Sequence, residues 1–184
     1  MEIIRTNIEG VVMLEPKVFY DARGYFMETF KAEEFREKVS NTVFVQENEN
    51  CSSYGVLRGI HFQKPPFTQA KLARVPIGAV LDVAVDCRKG SPSFGQWCAI
   101  ELSAENHRQL FLPRGVAHAM LCLSETCIFH YKVDNYYAPQ SEGYIAWNDR
   151  FLNIDWRIPV SDIIVSDKDN SHKGFLDQVF PFDF

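Results

Sequence analysis

Five histidines mark the places where this 184-residue sequence holds a group that titrates near neutrality. Two stand in apolar surroundings. His61 sits in VLRGIHFQ, an apolar run broken by one arginine, Arg58. His118 follows the turn Pro113-Arg114-Gly115 and lies in AHAMLCLS. An imidazole so placed either satisfies a buried polar partner or serves as a general base. The segments alone leave both readings open. His107, in SAENHRQ, reads as an exposed turn residue. His130 reads as lying on the polar face of a strand, and His172 as part of a polar tail.

Other chemistries find less support. Phe62 and Gln63 follow His61, so the H-x-H pair of a metal site is missing. One histidine with a distant second does not make a first-row metal site. There is no G-x-S-x-G for a serine nucleophile. The cysteines are Cys51, Cys87, Cys98, Cys122 and Cys127, an odd set without C-x-x-C spacing. That pattern predicts neither a disulfide framework nor a zinc site, and it fits a reducing, cytoplasmic setting. The formal net charge of −5 comes without a basic stripe, so no nucleic-acid partner is expected. MEIIRTNIEG does not read as a signal peptide, and no apolar run is long enough to predict a membrane span.

The elements that must hold these residues read as short strands. Turn residues recur along the chain, as DARG (21–24), NCSSYG (50–55), PIG (76–78), KGSPSFG (89–95) and PRG (113–115). Leu81, Val83 and Val85 alternate with Asp82, Ala84 and Asp86, and Cys127, Phe129, Tyr131 and Val133 alternate with polar or exposed partners. Lys71–Val75, PIG and Ala79–Cys87 together read as a hairpin. One helix is expected over about Ala32–Val39, where Phe35 and Val39 fall on one side and Glu34 pairs with Lys38. The tail FLDQVFPFDF carries no motif. Neither G-x-G-x-x-G nor a P-loop is present. These signals predict one mainly β domain over 1–184, a double-stranded β-helix or jelly roll with a few short peripheral helices.

An ordered set of segments makes the sequence specific. They include EPKVFYDARGYFMETF (15–30), FVQEN (44–48), VLRGIHFQ (56–63), QAKLARV (69–75) and VLDVAVDCRKGSPSFGQW (80–97). LSAENHRQLFLPRGVAH (102–118), YKVDNYYAPQSEG (131–143), WND (147–149), IDW (154–156) and SDKD (166–169) follow. In this order they resemble the dTDP-4-dehydrorhamnose 3,5-epimerase family, a cupin-type jelly-roll group that acts on nucleotide-linked sugars. The resemblance implies a role in dTDP-rhamnose and cell-surface polysaccharide biosynthesis, with no metal and no cofactor.

Matching positions then take expected roles. The resemblance implies His61 as general base, Asp169 as its orienting carboxylate, Tyr131 as the acid on the far face of the sugar and Lys71 beside the developing oxyanion. Arg58 and His118 match positions that hold phosphate or sugar oxygens. Arg23, Glu28, Gln46, Glu47, Asn48, Glu142 and Lys168 match further substrate contacts. The family resemblance also implies a homodimer whose N-terminal region exchanges between subunits. The implied ligand is a nucleotide-diphosphate sugar. Epimerisation at C3 alone, a 3,4-ketoisomerase and a non-catalytic sugar-nucleotide binder share these features and stay open.

These residue types suit the reaction. A 4-keto group acidifies the C–H bonds at C3 and C5, and a histidine titrating near neutrality can remove such a proton. A carboxylate beside it fixes the tautomer and favours the imidazolium. A lysine supplies positive charge where the enolate oxygen appears. One tension follows from strand geometry. Arg58 and His61 are three apart, so a regular strand would send them to opposite faces, unless Gly59 marks a bulge.

Overall fold

Alternating β-branched and aromatic residues become strand along most of the computed structural model, which describes residues 1–184. In chain order the first strands are β1 (Glu2–Arg5), β2 (Val12–Glu15), β3 (Val18–Asp21) and β4 (Gly24–Met27). The helix α1 (Ala32–Lys38) precedes β5 (Gln46–Ser53), β6 (Leu57–Gln63), β7 (Lys71–Ile77) and β8 (Ala79–Asp86). Then come β9 (Trp97–Ser103), β10 (Gln109–Leu112), β11 (Val116–Cys122), β12 (Thr126–Val133) and β13 (Glu142–Tyr144). Beyond β13 the chain has only short 3₁₀ turns at Val160–Asp162 and Phe175–Asp177.

Two antiparallel sheets result. One runs β1-β2-β10-β7-β12-β5, the other β13-β6-β11-β8-β9, and β3 and β4 form a separate hairpin. Their inner faces share one apolar core. Met13, Ala73, Val75, Leu110, Leu112, Cys127 and Phe129 from the first sheet meet Val80, Ala84, Met120 and Cys122 from the second. This is the expected jelly roll. No helix is long and apolar enough to cross a membrane.

Both outer faces are also covered. On the first sheet, Leu14, Leu72 and Phe111 pack under Phe35 of α1, joined by Phe30 and Phe44. That packing explains why so short a helix forms where it does, since helices of this length depend on tertiary burial. On the second sheet, Ile60, Phe62, Val83, Val85, Ala117 and Ala119 pack under Trp156, Phe175, Phe180 and Phe182. The tail without a motif is therefore the cover of this sheet. The Phe62 ring lies 5.8 Å from Phe180 and 5.4 Å from Phe182.

The expected hairpin of Lys71–Val75 and Ala79–Cys87 does not form. β7 pairs with β10 and β12, whereas β8 pairs with β11 and β9 in the other sheet. Gly78, at φ 76°, turns the chain from one sheet into the next. His107 also departs from expectation. It is buried, and the Tyr20 hydroxyl lies 3.2 Å from its Nε2. Four unpaired thiols, on Cys87, Cys98, Cys122 and Cys127, are buried, while Cys51 on β5 is exposed. Burial pushes the Cys98 thiol up to about 11 and Cys127 up to about 12.

Gly59 resolves the parity tension. On β11, His118 faces His61 and Met120 faces Arg58, so three steps along β6 match two along β11. The extra residue is a bulge, and it turns Arg58 and His61 to the same inner side. Gly59 has φ 130°, and a Cβ there would stand 2.5 Å from the Ala119 Cβ and 2.7 Å from the His118 carbonyl oxygen. Gly59→Ala is therefore expected to destabilise the fold by roughly 3 kcal/mol. Urea denaturation of the variant against the parent checks this; an unchanged midpoint would refute the packing argument.

Candidate active site

His61 stands on β6 beside β11, held on the inner face by the bulge at Gly59. Its Nε2 lies 2.6 Å from Asp169 Oδ1. Asp169 comes from the irregular segment after β13, where the Ser166 hydroxyl donates to its second oxygen at 3.0 Å. Ser166 Oγ also accepts the Asp169 backbone N–H at 3.1 Å, which closes a tight local turn. Burial pushes the Asp169 carboxyl up, but the hydrogen bond and charge of His61, with Ser166, outweigh it and hold it below the usual range. An ionised carboxylate on Nε2 makes that nitrogen the donor and leaves Nδ1 with a free lone pair.

The facing wall comes from the first sheet. Lys71 and Ala73 alternate inward on β7, and Tyr131 lies directly across from Ala73 on β12. Asn48 on β5 pairs with Tyr131 on its other side. The small Ala73 leaves room beside the phenol, and Lys71 Nζ sits 5.8 Å from the Tyr131 ring centroid. Burial lowers Lys71 to about 8, against the pull of Asp82 and Glu142. Burial also raises the Tyr131 phenol, opposed by its bond to Asn48 and the charge of Arg58, so it keeps its proton at neutral pH.

Between the walls opens a cleft of about 380 Å³, lined by His61, Lys71, Tyr131, Gln46, Asn48 and Glu142, together with Gln63, Gln69 and Tyr137. Gln63 fixes one rim: its amide donates to the carbonyls of Phe67 and Tyr136 and its oxygen accepts from Ala138. His118 lies beneath, buried, stacked on Phe129 and 2.5 Å from Asp82 Oδ1. Burial lowers its pKa despite Asp82, and Lys71 and His61 add to that lowering. Arg58 reaches from β6 to the Ser52 hydroxyl of β5 at 3.1 Å.

Not every expected residue joins the cleft. Lys168 meets Glu142 at 2.8 Å on its rim. Glu47 points to the opposite side of its strand, paired with Lys132 at 2.9 Å. Arg23 is exposed at the tip of the β3–β4 hairpin, paired with Asp21, and Glu28 lines a separate hollow near Met1 and Phe35. Within one chain neither reaches His61. His130 pairs outward with Glu49, as its strand parity predicts. Residues the sequence did not single out include Asp82, Tyr144 and His172. Asp82 was visible only as a charge inside an apolar strand, and His172 only as a histidine three residues after Asp169. No cluster of three or more His, Cys, Asp or Glu side chains has the arrangement of a metal site.

A carboxylate-backed imidazole across a cleft from a protonated phenol, with a lysine of lowered pKa on the phenol's wall, has the groups that acid–base proton transfer requires. Comparison with known proteins sharpens the class. The sequence model of the dTDP-4-dehydrorhamnose 3,5-epimerase family matches residues 5–177. The Shigella flexneri dTDP-4-dehydrorhamnose 3,5-epimerase is 48% identical over 178 residues, 96% of this chain and 97% of its own. The crystal structure of the Elizabethkingia anophelis enzyme of that name has a TM-score of 0.93 and 47% identity, covering 97% of this chain and 98% of that one. The Legionella pneumophila 3,5-epimerase, crystallised in complex with dTDP-4-keto-L-rhamnose, has a TM-score of 0.90 and 44% identity, covering 94% and 92%. The chain belongs to the dTDP-4-dehydrorhamnose 3,5-epimerase family.

Lys71 gives a test that needs no substrate. Its ammonium should lose its proton near pH 8, well before ordinary surface lysines. Lysine side-chain NMR over pH 6–11 should show one resonance titrating near 8 that vanishes in Lys71→Arg; a set titrating only above 10 would contradict the site's electrostatics.

Proposed function

We propose that this protein inverts C3 and C5 of dTDP-4-dehydro-6-deoxy-D-glucose to give dTDP-4-dehydro-L-rhamnose. The observation that carries this reading is the His61–Asp169 pair set across one cleft from Tyr131, with Lys71 on the same wall as the phenol. Neutral His61 takes the proton from the carbon beside the C4 ketone through Nδ1. The C–H electron pair moves onto the ketone oxygen as an enolate. Asp169 stabilises the imidazolium that forms, and Lys71 stabilises the oxyanion. Tyr131 then delivers a proton from the opposite face, which inverts the centre. After His61 releases its proton to water and Tyr131 regains one from water, repetition at the second carbon completes the product.

Binding is assigned to the remaining polar groups. Gln46, Asn48 and Glu142 line the cleft and take sugar and nucleotide oxygens, while Arg58 and Lys168 supply charge for the diphosphate at its edge. His118 supports the floor from beneath. Arg23 and Glu28 act across a homodimer, each hairpin reaching the partner's cleft. The exposed Phe19, Tyr20, Tyr25 and Phe26 on that hairpin support such an interface. Glu47, paired with Lys132 on the far side of its strand, takes no part in the cleft of its own chain. The unpaired cysteines suit a cytoplasmic enzyme.

Incubation with the 4-keto sugar nucleotide in deuterated water tests the reaction. NMR should show deuterium entering at both C3 and C5, and His61→Asn should lower kcat by about 10³-fold with little change in KM. Label at C3 alone would make the protein a monoepimerase. No label, with a working control enzyme, would refute the substrate.

A further inference from the structure

Asp169 reaches His61 from a segment that no strand or helix holds. Ser166 shapes the local turn, but a second set of contacts ties the segment to β13. Lys168 Nζ bonds Glu142 at 2.8 Å, and the Tyr144 hydroxyl donates to the same Glu142 carboxylate. His172 lays its ring on Tyr144, with centroids 4.3 Å apart and planes 10° from parallel. Tyr144 in turn meets His61 edge to face, at 5.1 Å and 89°. Lys168 Nζ stands 4.7 Å from the same phenol ring. One tyrosine therefore touches the base directly and the carboxylate's segment at two points.

The nitrogen of His172 does not explain its place. Nε2 is buried with no hydrogen-bond partner, and it lies 3.8 Å from Asp169 Oδ1. That distance is too long for a hydrogen bond. The face of the ring is what makes contact. We propose that the Tyr144–His172 stack is the positioning device of the His61–Asp169 pair, a proposal that rests on His61 being the general base. The edge contact from Tyr144 fixes the plane of the His61 imidazole. The stacked His172 holds Asp169 where it meets Nε2. Stacked aromatic pairs hold each other more firmly than their buried area alone would, which favours one rotamer of each ring. A reacting group displaced by about 1 Å can lose 10²-fold in rate. Neither Tyr144 nor His172 lines the cleft, so the effect belongs to kcat and not to substrate affinity.

The test compares the parent with His172→Ala, His172→Phe and Tyr144→Ala. Two quantities are read: kcat and KM for epimerisation, and the low-field proton resonance of the His61–Asp169 hydrogen bond in the unliganded protein. His172→Ala and Tyr144→Ala should lower kcat about tenfold, leave KM within twofold and broaden or remove the resonance. His172→Phe restores a flat ring without nitrogen, and it should bring both readings back to within about threefold of the parent. Should His172→Ala fail to fold, His172→Gln replaces it with the same expectation. Parent-like kcat in His172→Ala, or a His172→Phe as impaired as the alanine variant, would overturn the proposal. The resonance needs no sugar. A parent protein that shows it but exchanges no substrate proton refutes the reaction, and the resonance series still decides the role of the stack.

Discussion

A hydrogen bond of 2.6 Å joins an imidazole on a central strand to a carboxylate 108 residues later in an irregular segment. The pairing asks for opposite things from the two sides. His61 must stand on a rigid surface, because it faces the cleft and a small rotation would misdirect Nδ1. Asp169 must approach from outside the strand framework, because β11 on one side of β6 and the short β13 on the other already take its backbone pairing. The jelly roll meets the first demand with two facing sheets and a packed core. It meets the second by returning the chain over the far side of the second sheet, where Trp156, Phe175 and Phe180 seal that surface. The cover and the orienting carboxylate are thus parts of one excursion of the chain.

Electrostatics on the other wall follow from the same enclosure. Taking a lysine out of water disfavours its charge, and this lowers Lys71. Asp82 and Glu142 counter that effect only in part. The outcome is a cation that is charged at neutral pH yet less firmly so than one in water. The phenol opposite is shifted the other way, for the same reason. Burial therefore pushes a base-like group and an acid-like group towards their neutral forms together. His118, closed in beneath them, is also driven towards its uncharged form. A low-polarity floor below a polar rim is the arrangement in which an enolate gains most from one fixed positive charge.

Much of this was legible in residue order, and the exceptions have definite causes. Strand alternation grouped Tyr131 with Phe129 on one face because side chains on a strand follow a period of two, whereas Lys71 was marked only by the family resemblance. The same rule set Arg58 against His61, and only the unusual backbone at Gly59 removes the conflict. Pairing was less legible than strand content. β7 and β8 are joined by a single residue, Gly78, and still belong to different sheets, since a turn motif does not reveal which strands will hydrogen-bond. Local composition misread His107 and His172, both of which lie in polar stretches. Their surroundings are supplied by Tyr20 and Tyr144, residues 87 and 28 positions away, a relation no local window contains. The apolar tail was silent for the same reason, because its partner surface lies far back in the chain, Phe62 more than a hundred residues earlier.

The uneven exposure of the thiols has a practical side. Four are sealed in the interior, where a reagent in water does not meet them, and Cys51 alone faces solvent. It stands three residues from Asn48, on the strand that pairs with Tyr131. A fluorophore or spin label offered to the native protein therefore attaches at a single point, on the outer face of the strand whose inner face lines the cleft. No cysteine has to be engineered in or out for that strand to report on what enters beside it.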